Sequence, residues 1–466
     1  MTPRAQFTGH VLAGLAGLLL LSACSGGIAD RQGGPHTISP PPQDRALEPT
    51  RPLQVTTAGS ARSMASEPDD AIMSDGLTLA EALDAAIARH PELIAASYEV
   101  GAVAAEVRQA GLRPNPELQT DIENFAGAGA MSGFGAAETT VSLGQPIELG
   151  GKRRKRVEAA ERSLDLAEWD QEISRLSVMA DVTRLYVEAV AADRKADLAE
   201  KLYEAAMRLK DAVQNRVAAG AVSPVELERA KLVVGRARSD LAQASAEKTA
   251  SANSLFAVIG IEVPSASKLT GRLDDIAIVP PYDFLVGQLA AAPRVQRAKQ
   301  TVASRAAQLD LEKAKRIPDP TVGVGTRYFG ETDTSALVAT FSIPLPVFDR
   351  NQDAAAAARM RLDGARAGVR ATEFAVRQDF EDAFAHLTSA ASRAQSLETE
   401  LLPAAARTFE ATRTGYQEGK FDLVTLLDAQ RAYFETEVES IDAAAAYFVA
   451  RADLEELIGR PLPAAE

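Results

Sequence analysis

The amino-acid sequence predicts a mainly α-helical protein that also contributes strands to a membrane β-barrel, built from two tandem structural repeats. Three observations lead to this fold class. The chain resembles itself at a spacing of about 199 residues, two stretches of roughly 68 residues have the pattern of very long helices, and two pairs of short alternating runs have the pattern of strands. Solenoid repeats are far shorter, so this spacing indicates two pseudo-symmetric halves of one architecture.

The repeat is clearest where helices are expected to end. Leu255–Gly260 in the first half corresponds to Leu454–Gly459 in the second, and Gly220 corresponds to Gly419. We therefore expect a first repeat at 77–260, a linker at 261–283, a second repeat at 284–459 and a C-terminal tail at 460–466.

The first residues have the features of a bacterial export signal. A short positive segment is followed by an apolar stretch and then by small residues. Leu21-Ser22-Ala23-Cys24 has the lipobox pattern, in which the chain is cut before the cysteine and the cysteine is acylated. We predict a signal peptide at 1–23 and an acylated Cys24, and the alternative is a plain secretory signal. Ser25 after the cysteine resembles bacterial lipoproteins that are delivered to the outer membrane.

Residues 24–76 are rich in proline, glycine and serine and read as a tether. A short helix is expected at 77–112, where Thr78 and Glu81 can form a capping box. The stretch 152–219 contains neither glycine nor proline, which predicts one helix of roughly 100 Å. The remaining expected helices are a short one at 225–259 and, in the second repeat, a short one at 284–316 and a short one at 420–458. A long helix is expected at 351–418, broken only by Pro403 and softened by Gly364 and Gly368.

In each repeat, two short helices together match the long helix in length. Such a rod does not fit an ordinary globular domain, whose helices have three or four turns. Alanine-rich packing with charged outer positions instead fits a coiled coil or the wall of a helical barrel. We therefore expect the two short helices of each repeat to meet near the middle of the long one.

Strand pairs are expected at 117–148 and at 321–348, each between a short helix and a long helix. Leu118 and Ile122 alternate with acidic residues, the weak signature of a transmembrane strand. Four strands cannot close a barrel, and backbone groups in lipid must all be bonded, so the chain needs partners. Three copies would supply a twelve-stranded wall. The acidic positions expected to face its lumen are Glu117, Asp121 and Glu123.

Composition excludes several function classes. Acidic residues outnumber basic ones by 64 to 50, which makes nucleic acid a poor partner. Cys24 is the only cysteine and the four histidines are isolated, so no metal site and no cofactor are predicted. Gly150-Gly151-Lys152 lacks the other residues of a phosphate loop. The basic run Lys152–Arg156 is read as a solvated helix start, with contact to anionic lipid headgroups as the alternative.

The lipobox, the duplicated order of helices and strands, and the small number of strands resemble the TolC-like outer-membrane factors of tripartite efflux systems. Three segments most resemble the cobalt-zinc-cadmium resistance branch of that family: Arg113–Leu118, Glu148–Arg153 and Ile343–Asp349. The resemblance covers 77–459 and implies a homotrimer in which the barrel continues into a long periplasmic α-helical barrel.

The resemblance also implies two sets of site residues. The turns that join long to short helices would be periplasmic tips that receive the adaptor protein, and their residues are Gly220, Val222, Ser223, Gly419, Phe421 and Asp422. Beyond the second tip, the family places acidic residues that narrow the closed aperture. Asp428 matches that place, Thr425 occupies a position that is often acidic in relatives, and Asp422 is close by. For Asp428, a solvated surface charge is the alternative.

The resulting hypothesis is a passive channel and not an enzyme, with energy and substrate choice residing in an inner-membrane RND pump linked by an adaptor. Heavy-metal cations are the favoured cargo, and drugs or other small solutes are the alternative. Two rivals are a lipid-anchored adaptor and a coiled-coil scaffold. An adaptor carries one helical hairpin instead of two duplicated sets, and a scaffold has no need of alternating strands.

Overall fold

The computed structural model describes residues 76–260 and 269–463. The predicted signal peptide at 1–23 and the acylated Cys24 lie outside these ranges, as do nearly all of the tether, residues 261–268 of the linker and the last residues of the tail. The described residues are mostly helical, with four strands, which confirms the mainly α fold class. None of the described helices is long and apolar enough to cross a membrane.

The helix expected at 77–112 is in fact two helices, α1 (Leu79–Arg89) and α2 (Pro91–Ala110). Thr78 and Glu81 form the expected capping box at the start of α1. His90 interrupts the helix with an extended backbone, φ −64° and ψ 124°. The next residue is Pro91, whose ring disfavours helical backbone at the residue before it. The prediction of one continuous helix was wrong at this point.

The four strands form one antiparallel sheet in the order β1-β2-β3-β4. Both expected strand pairs join this sheet, although the first pair ends two residues and the second six residues before the predicted limit. Within the described residues β1 and β4 are edge strands, each with one side unpaired. The strands are β1 (Glu117–Glu123), β2 (Glu138–Pro146), β3 (Thr321–Phe329) and β4 (Thr334–Ser342).

The first long helix, α3 (Lys152–Ala218), has 67 residues without a break, and α4 (Pro224–Ile259) packs along it. At 1.5 Å per residue, α3 is about 100 Å long. Gly151 precedes α3 with φ +70°, a left-handed conformation that a glycine adopts without strain.

The helix expected at 284–316 is also divided. A short helix α5 (Tyr282–Val286) and a single 3₁₀ turn precede α6 (Pro293–Ala314). Ala292 has extended backbone because Pro293 follows it, and Pro293 then occupies the first turn of α6, where its missing N–H costs nothing. Here again a proline sets the helix boundary, and apolar periodicity alone does not predict that boundary.

The second long helix is interrupted beside Pro403, where the sequence predicts a break in 351–418. It consists of α7 (Gln352–Ser396), a π-helical turn at Leu397–Leu401, and α8 (Leu402–Gln417), followed after the tip by α9 (Leu423–Ile458). Pro403 has no N–H to donate to the carbonyl four residues earlier, and the wider π turn directly precedes it. Gly364 and Gly368 lie inside α7 and do not interrupt it.

Two apolar clusters lie beside the middles of the long helices. The first joins α1, the middle of α3 and the end of α4, for example through Ala82, Val182 and Leu255, all fully buried. The second joins α5, α7 and the end of α9, for example through Leu285 and Phe380. In each repeat, the short helices therefore meet beside the middle of the long helix.

Four helices follow the order of the four strands. Helix α2 packs on α3, α3 on α6, and α6 on α7, so the row α2-α3-α6-α7 continues the sheet. Toward the other end of the chain's long helices, α4 packs on α3 and α9 packs on α8 and α3. In the described part of the chain, α2 and α7 are thus the outer helices of the row, as β1 and β4 are the edges of the sheet.

Candidate functional site

One face of the sheet is polar and sheltered. The register places Glu117, Asp121 and Glu123 of β1 on the same face as Thr140 and Ser142 of β2, which are 3% and 7% exposed. Gln119 donates to both carboxylate oxygens of Asp121, at 3.0 and 3.1 Å. The structure thus brings the three predicted acidic residues onto one surface.

The other face of the same sheet is apolar and open. Its large side chains are strongly exposed, reaching 94% at Leu337 and 69% at Phe341. Soluble proteins rarely expose a contiguous apolar patch of this kind without a partner or membrane to cover it. The further apolar residues on this face are Leu118, Ile122, Val141, Leu143, Val322, Val324 and Tyr328.

Arg327 is a polar-face residue that sequence reasoning missed. Its guanidinium lies 3.3 Å from Glu123 and 3.1 Å from Glu138, and its Nε donates to the Thr140 hydroxyl at 2.8 Å. It is the only basic residue in the four described strands. Because side chains alternate between the two faces of a strand, the position of Arg327 within β3 could have predicted that it lies on the acidic face. The acidic surface is therefore partly neutralised near the end of the sheet that is remote from the helices.

Close packing on the polar face requires glycine in β3. A Cβ added at Gly325 would lie 2.6 Å from the Cβ of Ser142 in the neighbouring strand, closer than two carbon atoms can approach. Glycine therefore serves here as a residue that lets two strands come together, a usual role for glycine inside a strand.

The basic run at the start of α3 binds the ends of other helices. Lys152 is buried and lies 2.7 Å from Asp319, and it also bonds the carbonyl of Ile317 beyond the end of α6. Arg153 and Arg156 donate to the carbonyls of residues 110–112 at the end of α2. Cations at helix C-termini satisfy orphan carbonyls and complement the helix dipole. The solvated-helix interpretation was therefore wrong for the buried Lys152, whereas Arg153 and Arg154 are exposed and Arg156 is half-buried.

Each tip is a Schellman turn followed by a capped helix. At the first, Gly220 has φ +73°, its N–H donates to the Val217 carbonyl at 2.9 Å, and Ala221 donates to the Arg216 carbonyl at 2.9 Å. Gly419, with φ +75°, repeats this arrangement at the second tip. A positive φ at the residue after a helix is the position that glycine favours. Ser223 and Asp422 then cap α4 and α9.

The two predicted apolar tip residues are placed differently. Val222 is partly exposed, and Phe421 is 48% exposed. The Phe421 ring lies back on α8, against Gly415, where an added Cβ would overlap the ring. Gly415 thus provides the space that holds Phe421, a contact that the sequence pattern did not reveal.

The three predicted aperture residues occupy the first two turns of α9. Asp422 accepts hydrogen bonds from the Thr425 hydroxyl at 2.5 Å and the Thr425 N–H at 2.9 Å. These two bonds, helped by the charge of Arg229, hold the pKa of Asp422 below its ordinary value. Asp428 is exposed one turn later on the same side as Thr425. In the structure, therefore, Asp422 caps α9 through its hydrogen bonds with Thr425, and the side chain of Asp428 is exposed to solvent.

The tips of the two repeats pack together. Val213 and Ala230 of the first repeat share one buried cluster with Tyr416 and Leu423 of the second. The guanidinium of Arg216 lies 5.0 Å from the centre of the Tyr416 ring, which is cation–π distance. A movement of one tip therefore involves the other.

In residues 76–260 and 269–463, no group of three or more histidine, cysteine or acidic side chains is placed to hold a metal ion. The surfaces that combine the predicted residues are the polar face of the sheet, the two tips and the start of α9.

A family model described as outer membrane efflux protein matches residues 82–261 and 286–460, one segment in each repeat. The cobalt-zinc-cadmium resistance protein CzcC of Cupriavidus metallidurans is 30% identical over 384 residues, covering 82% of this chain and 90% of the relative. The nickel and cobalt resistance protein CnrC of the same organism is 30% identical over 292 residues, covering 61% and 69%.

The fold has solved counterparts. A crystal structure of CusC superposes with a TM-score of 0.68 at 18% identity, covering 85% of this chain and 96% of that one. These matches confirm the resemblance to TolC-like factors and to their metal-resistance branch.

Proposed function

The chain belongs to the outer membrane efflux protein family, and on that premise we propose that three copies form the outer-membrane channel of a heavy-metal efflux system. The channel is passive: it provides a hydrophilic path, and it catalyses nothing. An inner-membrane RND pump supplies energy and selects the substrate, and a periplasmic adaptor connects pump and channel.

The two-faced sheet is the observation that carries this proposal. An apolar face with Leu337 and Phe341 exposed suits the acyl chains of a bilayer, and the opposite face suits water. Since β1 and β4 have unpaired sides in the described structure, one copy would leave backbone groups unbonded in lipid. Joining β4 of one copy to β1 of the next, three times, gives a closed wall of twelve strands.

Metal cations are the cargo that fits the polar face best. In the described part of the chain no basic side chain forms an ion pair with Glu117 or Asp121, whereas Glu123 faces Arg327. Three copies would repeat this negative surface around one lumen, which raises the local concentration of cations. The relatives CzcC and CnrC are named for resistance to cobalt, zinc, cadmium and nickel. Sequence similarity and lumen charge thus support the same cargo class.

The other surfaces fit the remaining parts of such a system. The tips at Gly220 and Gly419 would contact the adaptor, and three copies of Asp428 would form a carboxylate ring at the aperture. An acyl chain on Cys24 would anchor the protein in the outer membrane, with the long helices extending into the periplasm.

Experiments on the purified protein and in cells test the proposal. The purified protein should conduct ions in planar bilayers. On gels it should migrate as a trimer band that dissociates only on heating. In cells, deletion of the gene should sensitise growth to cobalt, zinc or cadmium salts. Sensitivity to drugs with unchanged metal tolerance would reject the metal cargo and favour the drug alternative. Absence of both trimer and conductance would reject the channel.

A further inference from the structure

Glu123 and Glu138, called here the carboxylate pair, are the only two acidic residues that stand directly opposite each other in the four described strands. The register places Glu123 of β1 against Glu138 of β2 on the polar face, whereas Glu117 and Asp121 have uncharged residues opposite them. Side chains directly opposite in neighbouring strands have Cβ atoms about 4.5–5.5 Å apart, and like charges at such positions are destabilising. The carboxylate pair therefore needs a cation beside it.

Arg327 of β3 supplies this cation. One terminal nitrogen of its guanidinium lies 3.1 Å from Glu138, and the other lies 3.3 Å from Glu123. Its Nε donates to the Thr140 hydroxyl at 2.8 Å, and the amide of Asn124 donates to the second oxygen of Glu138 at 3.0 Å. All three guanidinium nitrogens thus have partners, which holds the side chain over the carboxylate pair.

We propose that Arg327 keeps the outer end of the lumen from binding the metal cations that pass through it. This role rests on the proposed channel and its cargo, and it concerns the outermost carboxylates of the strands, at the end of the sheet that is remote from the helices. One or two carboxylates, completed by water molecules, are sufficient to bind a small divalent cation. The guanidinium occupies the place that such a cation would take, so the exit of the lumen does not retain metal.

Nearer the helices, the polar face offers only separate carboxylates. Glu117 and Asp121 are four residues apart in β1, which corresponds to about 14 Å along the strand. Both oxygens of Asp121 also accept hydrogen bonds from Gln119. A conducting path needs attraction that lets an ion enter and is still weak enough for the ion to leave. Without the guanidinium, the carboxylate pair would be the strongest cation-binding position in the described strands.

Binding of Mn²⁺ to the purified protein in detergent tests this role, because Mn²⁺ prefers oxygen ligands and its free form is counted by electron paramagnetic resonance. Arg327→Gln should bind about one additional Mn²⁺ per chain relative to the unmodified protein. Arg327→Lys, which keeps a cation beside the carboxylates, should bind no additional Mn²⁺. Additional binding by Arg327→Lys, or none by Arg327→Gln, would overturn the role.

Two double variants separate the carboxylate pair from the overall charge of the lumen. Arg327→Gln with Glu117→Gln and Arg327→Gln with Glu123→Gln both keep the net charge of the unmodified protein. Only the variant with Glu117→Gln retains the carboxylate pair, so only this variant should bind the additional Mn²⁺. Equal binding by the two double variants would mean that lumen charge alone governs Mn²⁺ binding, and it would reject the role of Arg327.

Thermal stability gives a second readout, which also serves if a variant folds poorly without metal. Mn²⁺ that binds the folded protein and not the unfolded chain stabilises the folded state by mass action. Mn²⁺ should therefore raise the melting temperature of Arg327→Gln with Glu117→Gln and leave that of Arg327→Gln with Glu123→Gln unchanged. If Mn²⁺ stabilises neither variant, the guanidinium serves only to hold the strands together.

Metal tolerance of cells separates this role from the channel itself. Arg327→Gln should lower tolerance to cobalt, zinc or cadmium salts, and adding Glu123→Gln should restore it at equal amounts of protein in the outer membrane. Additional Mn²⁺ binding by Arg327→Gln with unchanged tolerance would mean that a retained cation does not impede export, which overturns the role and leaves the channel intact. Absence of conductance in the unmodified protein would instead reject the channel.

Discussion

Replacing Lys152 should destabilise the junction between sheet and helices, although the residue lies in a basic run that resembles a lipid-binding segment. Its ammonium group bonds Asp319 at 2.7 Å and the carbonyl of Ile317, and its side chain is 11% exposed. In Lys152→Met the carboxylate of Asp319 keeps only the N–H of Leu149, at 2.7 Å. The variant should therefore lose the hydrogen bond to the Ile317 carbonyl beyond the end of α6, as well as the ion pair with Asp319.

The magnitude follows from these contacts. A hydrogen bond involving a charged group contributes about 1.5–3 kcal/mol, and breaking a fully buried ion pair costs about 3–5 kcal/mol. The Asp319 side chain is 30% exposed and retains one donor, so the cost falls below that of a fully buried ion pair. We expect Lys152→Met to lower the free energy of unfolding by about 2–3 kcal/mol.

The chain supplies its own probe and control. Trp169 is the only tryptophan and lies in the same helix, so its fluorescence during guanidinium unfolding in detergent reports on α3. Arg154→Met removes an exposed charge of the same run and should change the stability by less than about 0.5 kcal/mol. Equal unfolding midpoints for Lys152→Met and Arg154→Met would refute the role of Lys152 in capping the end of α6. Weaker binding of both variants to anionic vesicles would strengthen that refutation, because it favours contact of the basic run with lipid headgroups.

Four further expectations concern the N-terminus, the second tip, the cap of α9 and the aperture. Mass spectrometry of the mature protein should find an acylated Cys24 as the first residue, and an unmodified peptide beginning elsewhere would contradict this. Gly415→Ala should displace the ring of Phe421 and reduce crosslinking from position 421 to an adaptor, with trimer yield unchanged; unaltered crosslinking would remove the packing role. Because the hydrogen bonds from Thr425 lower the pKa of Asp422, its cap stabilises α9 above the ordinary carboxyl pKa of about 3.9 and is lost as the pH falls through the lower folded value. The protection of the amides in the first turn of α9, measured relative to an unstructured peptide at the same pH, should fall only at such acid pH, and an equal fall between pH 7 and 5 would argue against the cap. Asp428→Asn should lower cation selectivity in bilayers, and an unchanged reversal potential would return Asp428 to the solvated-surface alternative.

The sequence predicts the features that depend on periodicity and on glycine. A stretch without helix breakers becomes α3, alternation becomes the two faces of the sheet, and Gly220 and Gly419 occupy left-handed positions at the turns. Each of these features follows from a local backbone preference. No distant contact is needed to read them.

The features that the sequence does not reveal depend on contacts between distant segments. The basic run looks solvated because the carbonyls that it binds belong to residues 110–112 and Ile317, far from it in sequence. Arg327 likewise finds its carboxylates on β1 and β2. The break at His90 is local, yet apolar periodicity continues through it and hides it, whereas Pro403 predicts the break before α8.

The π turn at Leu397–Leu401 makes the two halves of the chain mechanically unequal. The first long helix is continuous from Lys152 to Ala218, whereas the second contains a π turn, with hydrogen bonds between residues five apart, between its sheet end and its tip. In a ring of three copies, stiff and compliant columns would alternate around the axis. Bending would then concentrate at the π turns, which occur in three of the six long helices. Duplication of the sequence thus provides six long helices but only three positions at which they bend.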